Sequence, residues 1–85
     1  MQFYDVVGPV CESSDTFAQR YSLPSMVRGD LVALLSAGAY GSSMSSNYNS
    51  RPLAAEAIVY QGRWHLARSR QSLADITRGE RPLPL

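Results

Sequence analysis

Apolar and polar positions along the chain predict short strands and turns rather than long helices. The pattern is clearest over residues 54–60 and 63–69. Successive strand side chains point to opposite faces, so Ile58 and Tyr60 share one face of the first segment, and Trp64 and Leu66 share one face of the second. Gln61-Gly62 between them suits a two-residue connection, with Gly supplying the positive φ that tight hairpin turns often need. These residues predict a β-hairpin. Residues 3–10 are rich in β-branched and aromatic side chains and predict an extended segment. Gly8-Pro9 should bend it, because Pro fixes φ and disfavours helix before it.

The rest of the pattern is shorter. Residues 11–15 are small and polar and predict a loop or a single helical turn. Residues 16–26 contain Pro24 and no clear period, which predicts an irregular excursion. Arg28-Gly29-Asp30 is a turn signal, and the apolar run 31–35 after it is too short for a typical helix, so it reads as a buried strand. Gly38-Ala39-Tyr40-Gly41 breaks that run. Residues 42–50 have the Ser- and Asn-rich composition of a linker, but Met44 and Tyr48 are four apart and would share one face of a helical turn. Residues 72–77 predict a short helix capped by Ser72, with Asp75 as its third residue. The tail 81–85 alternates Pro with Leu and cannot continue a helix.

The sum is a mainly β chain with one or two short helices and no internal repeat. Its apolar stretches are few for an independent sandwich, and an unpaired strand edge is a liability. Both facts predict a sheet completed by chain outside this sequence. The length of 85 residues allows one domain or part of one. A complete domain near this size buries only about 60–65% of its unfolded surface. It would have roughly 4–13 kcal/mol of stability; a fragment would have less.

Composition narrows the class. The net charge is +1, and all eight basic residues are Arg, scattered from Arg20 to Arg81. Only Arg63, Arg68 and Arg70 lie close together, with Trp64 the one aromatic among them. Phosphate binding needs several cations on one face, so these arginines read as a solvated strand face and no nucleic-acid partner is expected. The single cysteine, Cys11, makes an internal disulfide impossible and gives no support for secretion. No apolar run approaches the ~20 residues of a membrane span, and the N-terminus lacks the basic start and apolar stretch of a signal peptide. A soluble cytoplasmic protein without a membrane partner is the expectation.

Few side chains carry a chemical signal on local grounds. A lone cysteine such as Cys11 is usually a small buried hydrophobe. Glu12 reads equally as a solvated acid. Tyr40 between Gly38 and Gly41 reads as a ring closing a loop onto a core, or as a phenol beside backbone that can approach a ligand closely. His65 alternates with Trp64 and Leu66 on the predicted strand and has no second His, so no metal site is assigned. Asp15 reads as a turn cap. A thiol enzyme built on Cys11 and His65 has no local support, and a free-standing β module that binds a partner by strand addition stays open.

Three stretches change the balance. They are Tyr4-Asp5-Val6-Val7-Gly8-Pro9-Val10-Cys11-Glu12-Ser13-Ser14-Asp15; Gly29-Asp30-Leu31 running to Ala37-Gly38-Ala39-Tyr40-Gly41; and Met44-Ser45-Ser46-Asn47-Tyr48-Asn49-Ser50-Arg51-Pro52. In order, spacing and wording they resemble the C-terminal end of diaminopimelate decarboxylases. The match covers most of the chain and weakens after about Arg70. Ser42 departs from the resemblance where a bulky residue is common, and Leu53 where a basic or polar one is.

The resemblance implies a partial C-terminal β-barrel-like domain, similar to that of alanine racemase, spanning residues 1–85. It implies a parent with an N-terminal (β/α)8 barrel that binds pyridoxal phosphate, acting as a head-to-tail homodimer with active sites at the interface. The implied reaction converts meso-diaminopimelate to L-lysine and carbon dioxide. Carried over by position, Cys11 resembles the proton donor that reaches across the dimer interface, and Glu12 the substrate-binding acid beside it. Tyr40 resembles the tyrosine that contacts both cofactor and substrate. Related decarboxylases acting on ornithine, arginine or carboxynorspermidine are the alternatives. Glu12 directly after the cysteine favours diaminopimelate, since the ornithine enzymes carry Asp there.

The residue types suit that chemistry. Decarboxylation leaves an electron pair on carbon, which the cofactor ring delocalises, and a proton must then be delivered. An ordinary thiol ionises near pH ~8.5, so at neutral pH it holds a proton it can give up. Adjacent strand residues point to opposite faces, so Cys11 and Glu12 share one site only if the backbone turns there. The cofactor anchor, by contrast, is a lysine amine. This chain has no Lys and no room for a barrel of ~250 residues. Alone, it is predicted to be inactive.

Overall fold

Two antiparallel ribbons carry the fold. In a computed structural model that describes residues 1–84, β1 (Gln2–Val7) pairs with β2 (Thr16–Leu23), and β3 (Glu56–Tyr60) pairs with β4 (Arg63–Arg68). Among the described residues the two sheets share no strand. The chain divides into two compact units, Met1–Gly38 around the first ribbon and Ala39–Leu85 around the second. The mainly β expectation holds. Leu85, the last residue of the expected tail, lies outside the described residues.

In the first unit, β1 stops at Val7 and the chain bends at Gly8-Pro9, so the strand is shorter than the extended segment expected over residues 3–10. Residues 16–26 differ from expectation, because most of this excursion is β2. The register explains why no period was visible. Tyr4 faces Tyr21, Val6 faces Ala18 and Val7 faces Thr16, so β2 carries an extra residue at two points. Each bulge turns the following side chains to the other face, and the two slips erase the alternation. At the first bulge Arg20 takes φ 49°, and its N–H donates to Asp5 Oδ1 at 2.9 Å. Its guanidinium lies 5.2 Å from the centre of the Phe3 ring, within cation–π range. The N–H of Met26 donates to the Tyr4 hydroxyl at 2.8 Å and ties the following loop to β1.

The predicted buried strand at residues 31–35 is corrected by the structure. These residues are coil and turn, with Leu31 96% and Leu35 87% exposed. A strand needs a partner for its backbone groups, and the run has none among the described residues. Its side chains instead form one wall of an open apolar groove, with Val6, Phe17, Ala18 and Tyr21 on the ribbon side.

The second unit opens with two short 3-10 turns, η1 (Ser42–Met44) and η2 (Tyr48–Ser50). Ser45 between them is extended, so Met44 and Tyr48 lie in separate turns and not on one helical face. The hairpin follows as expected. Gln61 (φ 51°) and Gly62 (φ 73°) are both left-handed, the signature of a type I′ connection. Helix α1 (Leu73–Ile76) begins at a full capping box. The Asp75 N–H donates to Ser72 Oγ at 3.2 Å, and the Ser72 N–H donates to Asp75 Oδ2 at 2.8 Å.

No described residue is buried in either unit. The most covered positions, among them Tyr4, Val6, Ala18 and Leu23, are only half-buried. Two-stranded ribbons cover one face at most, so apolar side chains such as Trp64, 70% exposed, stay in contact with solvent.

Candidate functional site

The loop 8–15 joins β1 to β2 and carries both Cys11 and Glu12. The Glu12 N–H donates to the Val10 carbonyl at 2.9 Å, which makes a three-residue turn centred on Cys11. The Asp15 N–H then donates to the Glu12 carbonyl at 3.1 Å and closes a second turn. The backbone therefore reverses at Cys11, which removes the strand geometry that would send adjacent side chains to opposite faces. Both residues are exposed at the hairpin tip.

Glu12 is held by Ser14. The Ser14 N–H donates to Glu12 Oε2 at 2.7 Å, and the Ser14 hydroxyl donates to the same oxygen. The hydroxyl bond, then the amide bond, hold the Glu12 carboxyl below the ordinary glutamate value. A depressed value of this kind favours the folded loop above the unfolded pKa and is lost as pH falls through the folded one. An ionised carboxylate has about four lone-pair sites, so Glu12 keeps capacity for a further donor.

Tyr40 lies in the second unit. Its backbone is left-handed at φ 62°, unusual for a bulky residue, and its side chain is 87% exposed. The Tyr40 N–H donates to Ser43 Oγ at 3.0 Å. The turn is fastened to the hairpin by a polar relay: Ser42 Oγ donates to Glu56 Oε1 at 2.9 Å, and Arg68 pairs with the same oxygen at 3.1 Å. Ser42, the departure noted above, is thus tied to β3. His65 is exposed on β4 opposite Ile58. Among the described residues, no group of three or more His, Cys, Asp or Glu is arranged to hold a metal, and no helix is long and apolar enough to cross a membrane.

One organising residue escaped the sequence reading. Gln71 Oε1 accepts from the Leu53 N–H at 2.9 Å and from Asn47 Nδ2. The Gln71 N–H donates in turn to the Leu53 carbonyl at 3.0 Å. Asn47 Nδ2 also donates to the Arg51 carbonyl at 2.9 Å, so Asn47 shapes the loop it belongs to. Gln71 contacts this loop across separations of 18 and 24 residues, and no local pattern signals such a pairing.

Comparison with known proteins identifies this arrangement. Residues 1–38 match the C-terminal sheet domain of pyridoxal-dependent decarboxylases. The diaminopimelate decarboxylase of Zymomonas mobilis is 51% identical over 76 residues, 89% of this chain and 18% of the relative. Over most of its length this chain is similar to the C-terminal part of such decarboxylases. The diaminopimelate decarboxylase of Archaeoglobus fulgidus is 46% identical over 80 residues, 94% of this chain and 19% of the relative. Among solved structures, the diaminopimelate decarboxylase of Helicobacter pylori, complexed with L-lysine, superposes with a TM-score of 0.83 at 48% identity. That match covers 91% of this chain and 19% of the other. The enzyme from M. jannaschi gives 0.91 at 32% identity, covering 98% and 19%. The chain thus spans about a fifth of the length of the decarboxylases it matches.

Two consequences can be checked in a hybrid in which this chain replaces the matching segment of the Helicobacter pylori decarboxylase. Gln71→Leu removes the acceptor from the Leu53 N–H and Asn47 and is expected to lower the stability of the hybrid by about 1–3 kcal/mol. Gln71→Glu retains an acceptor and should cost less, with thermal midpoints as the readout. Ser14→Ala is expected to raise the Glu12 carboxyl toward the ordinary glutamate value. Carboxyl NMR titration reads this directly, and an unmoved Glu12 would mean that the Ser14 hydroxyl does not set it.

Proposed function

We propose that this segment completes the active site of a diaminopimelate decarboxylase, which converts meso-diaminopimelate to L-lysine and carbon dioxide. Its sheet joins preceding strands in a β-barrel-like domain, beside a (β/α)8 barrel of the same parent chain that binds pyridoxal phosphate. The parent works in the cytoplasm as a homodimer. The observation that carries the reading is the hairpin tip. Cys11 and Glu12 lie at a reversal of the backbone, in a segment half identical to decarboxylases of that name. The exposed apolar faces of both units agree with it, because they are surfaces that the rest of such a parent would cover.

The residues present suit a supplementary role toward the cofactor. With no Lys the chain offers no covalent anchor, but the Tyr40 phenol stands exposed on a turn and can donate a hydrogen bond to the cofactor or the substrate. Pyridoxal phosphate, when bound, supplies the ring that delocalises the electron pair left by the departing carboxylate. Cys11 gives its thiol proton to the vacated carbon, and the thiolate regains a proton from solvent. Glu12, oriented by its hydrogen bonds from Ser14, holds the ammonium group at the distal centre of the substrate.

The hybrid tests this reading through its substrate. Decarboxylation of meso-diaminopimelate in clear preference to ornithine is the expected result. A folded, cofactor-loaded hybrid that prefers ornithine would sink the substrate assignment.

A further inference from the structure

We propose that Asp15 is a positioning residue for the proton-donor tip, acting with Gly8 as a clasp at the base of the loop. The inference rests on the proton-donor reading of Cys11.

The clasp closes at two levels. The Gly8 N–H donates to the Asp15 carbonyl at 2.9 Å and joins the ends of the loop. The Asp15 carboxylate turns back into the loop, where Oδ2 accepts the Val10 N–H at 3.0 Å in a partly covered setting. Val10 precedes Cys11, and its carbonyl receives the Glu12 N–H. The carboxylate thus holds the N–H of the residue whose carbonyl anchors the Cys11 turn. Gly8 supplies the space. A Cβ at Gly8 would overlap both carboxylate oxygens of Asp15. Gly8 is not in the left-handed region, so its need for glycine comes from this close approach and not from its φ. Asp15 is half-buried and its carboxylate holds backbone, so it acts through Cys11 and Glu12 rather than on substrate. A displacement near 1 Å of a catalytic group can cost about 10²-fold in rate.

The test uses the hybrid carrying the full chain. Asp15→Ala is expected to lower kcat about 10²-fold, with cofactor loading little changed. Asp15→Asn keeps an oxygen acceptor for the Val10 N–H and should recover most of the loss. Gly8→Ala should reproduce the defect, and Gly8→Ala with Asp15→Ala together should fall short of the product of the two losses, since both break one contact. Hydrogen exchange at the Val10 amide should quicken roughly tenfold in Asp15→Ala and in Gly8→Ala, but not in Asp15→Asn. An unsubstituted hybrid without activity would count against the proton-donor reading, while Val10 exchange still judges the clasp. Asp15→Asn as damaging as Asp15→Ala, or a Gly8→Ala effect equally large in both backgrounds, would overturn it.

Discussion

In the hybrid, Cys11→Ala is expected to lower kcat on meso-diaminopimelate by about 10²–10⁴-fold, the range that a positioned general acid contributes. Cofactor loading should be unchanged, because nothing in the reading gives Cys11 a part in holding pyridoxal phosphate. The loss should fall on kcat more than on KM, since a proton donor acts after substrate is bound. Cys11→Ser puts a hydroxyl, a much weaker acid, in place of the thiol and should stay close to Cys11→Ala. Steady-state kinetics with cofactor absorbance recorded on the same samples separates these effects. Full activity in Cys11→Ala would remove the thiol from the chemistry and leave it the small apolar residue that a lone cysteine usually is.

The second large effect concerns the chain by itself. Ordering a residue costs about 1–2 kcal/mol of backbone entropy, and a fully buried large apolar side chain returns about 1.5–3 kcal/mol. None of the described residues reaches full burial, and Leu31, Val59 and Trp64 are each at least 70% exposed. The hydrogen bonds of two ribbons do not fill that gap, because a single hairpin is marginal in water. The isolated 85-residue chain is therefore expected to show no cooperative thermal transition, no pyridoxal phosphate absorbance and no decarboxylation. Near-ultraviolet circular dichroism of Trp64 through a thermal scan is the direct check. A sharp transition in a monomer would favour the other reading, a free-standing β module.

The second ribbon and α1 could be read from the sequence because their signals are local. Gln61-Gly62 specifies its own turn, and Ser72 and Asp75 satisfy each other within one turn of helix. β2 could not, because its two bulges break the period-2 pattern. The run at residues 31–35 misled for a different reason. Its apolar composition reports burial, but nothing among the described residues buries it. Of the candidate site, Cys11, Glu12 and Tyr40 were visible only through the motifs around them. Their residue types alone fit commoner structural roles. Asp15 was legible as a turn cap, and the carboxylate–Val10 bond shows the turn it caps. Gln71 was silent, since its partners are distant in sequence.

The central claim is that this hairpin tip delivers Cys11 to a pyridoxal phosphate centre. A crystal structure of the hybrid with cofactor and L-lysine bound tests it most directly. The Cys11 sulfur is expected within about 3.5 Å of the carbon that lost its carboxylate, with Glu12 on the distal ammonium. A folded, loaded hybrid with the Cys11 tip turned to solvent, away from the cofactor, would contradict it.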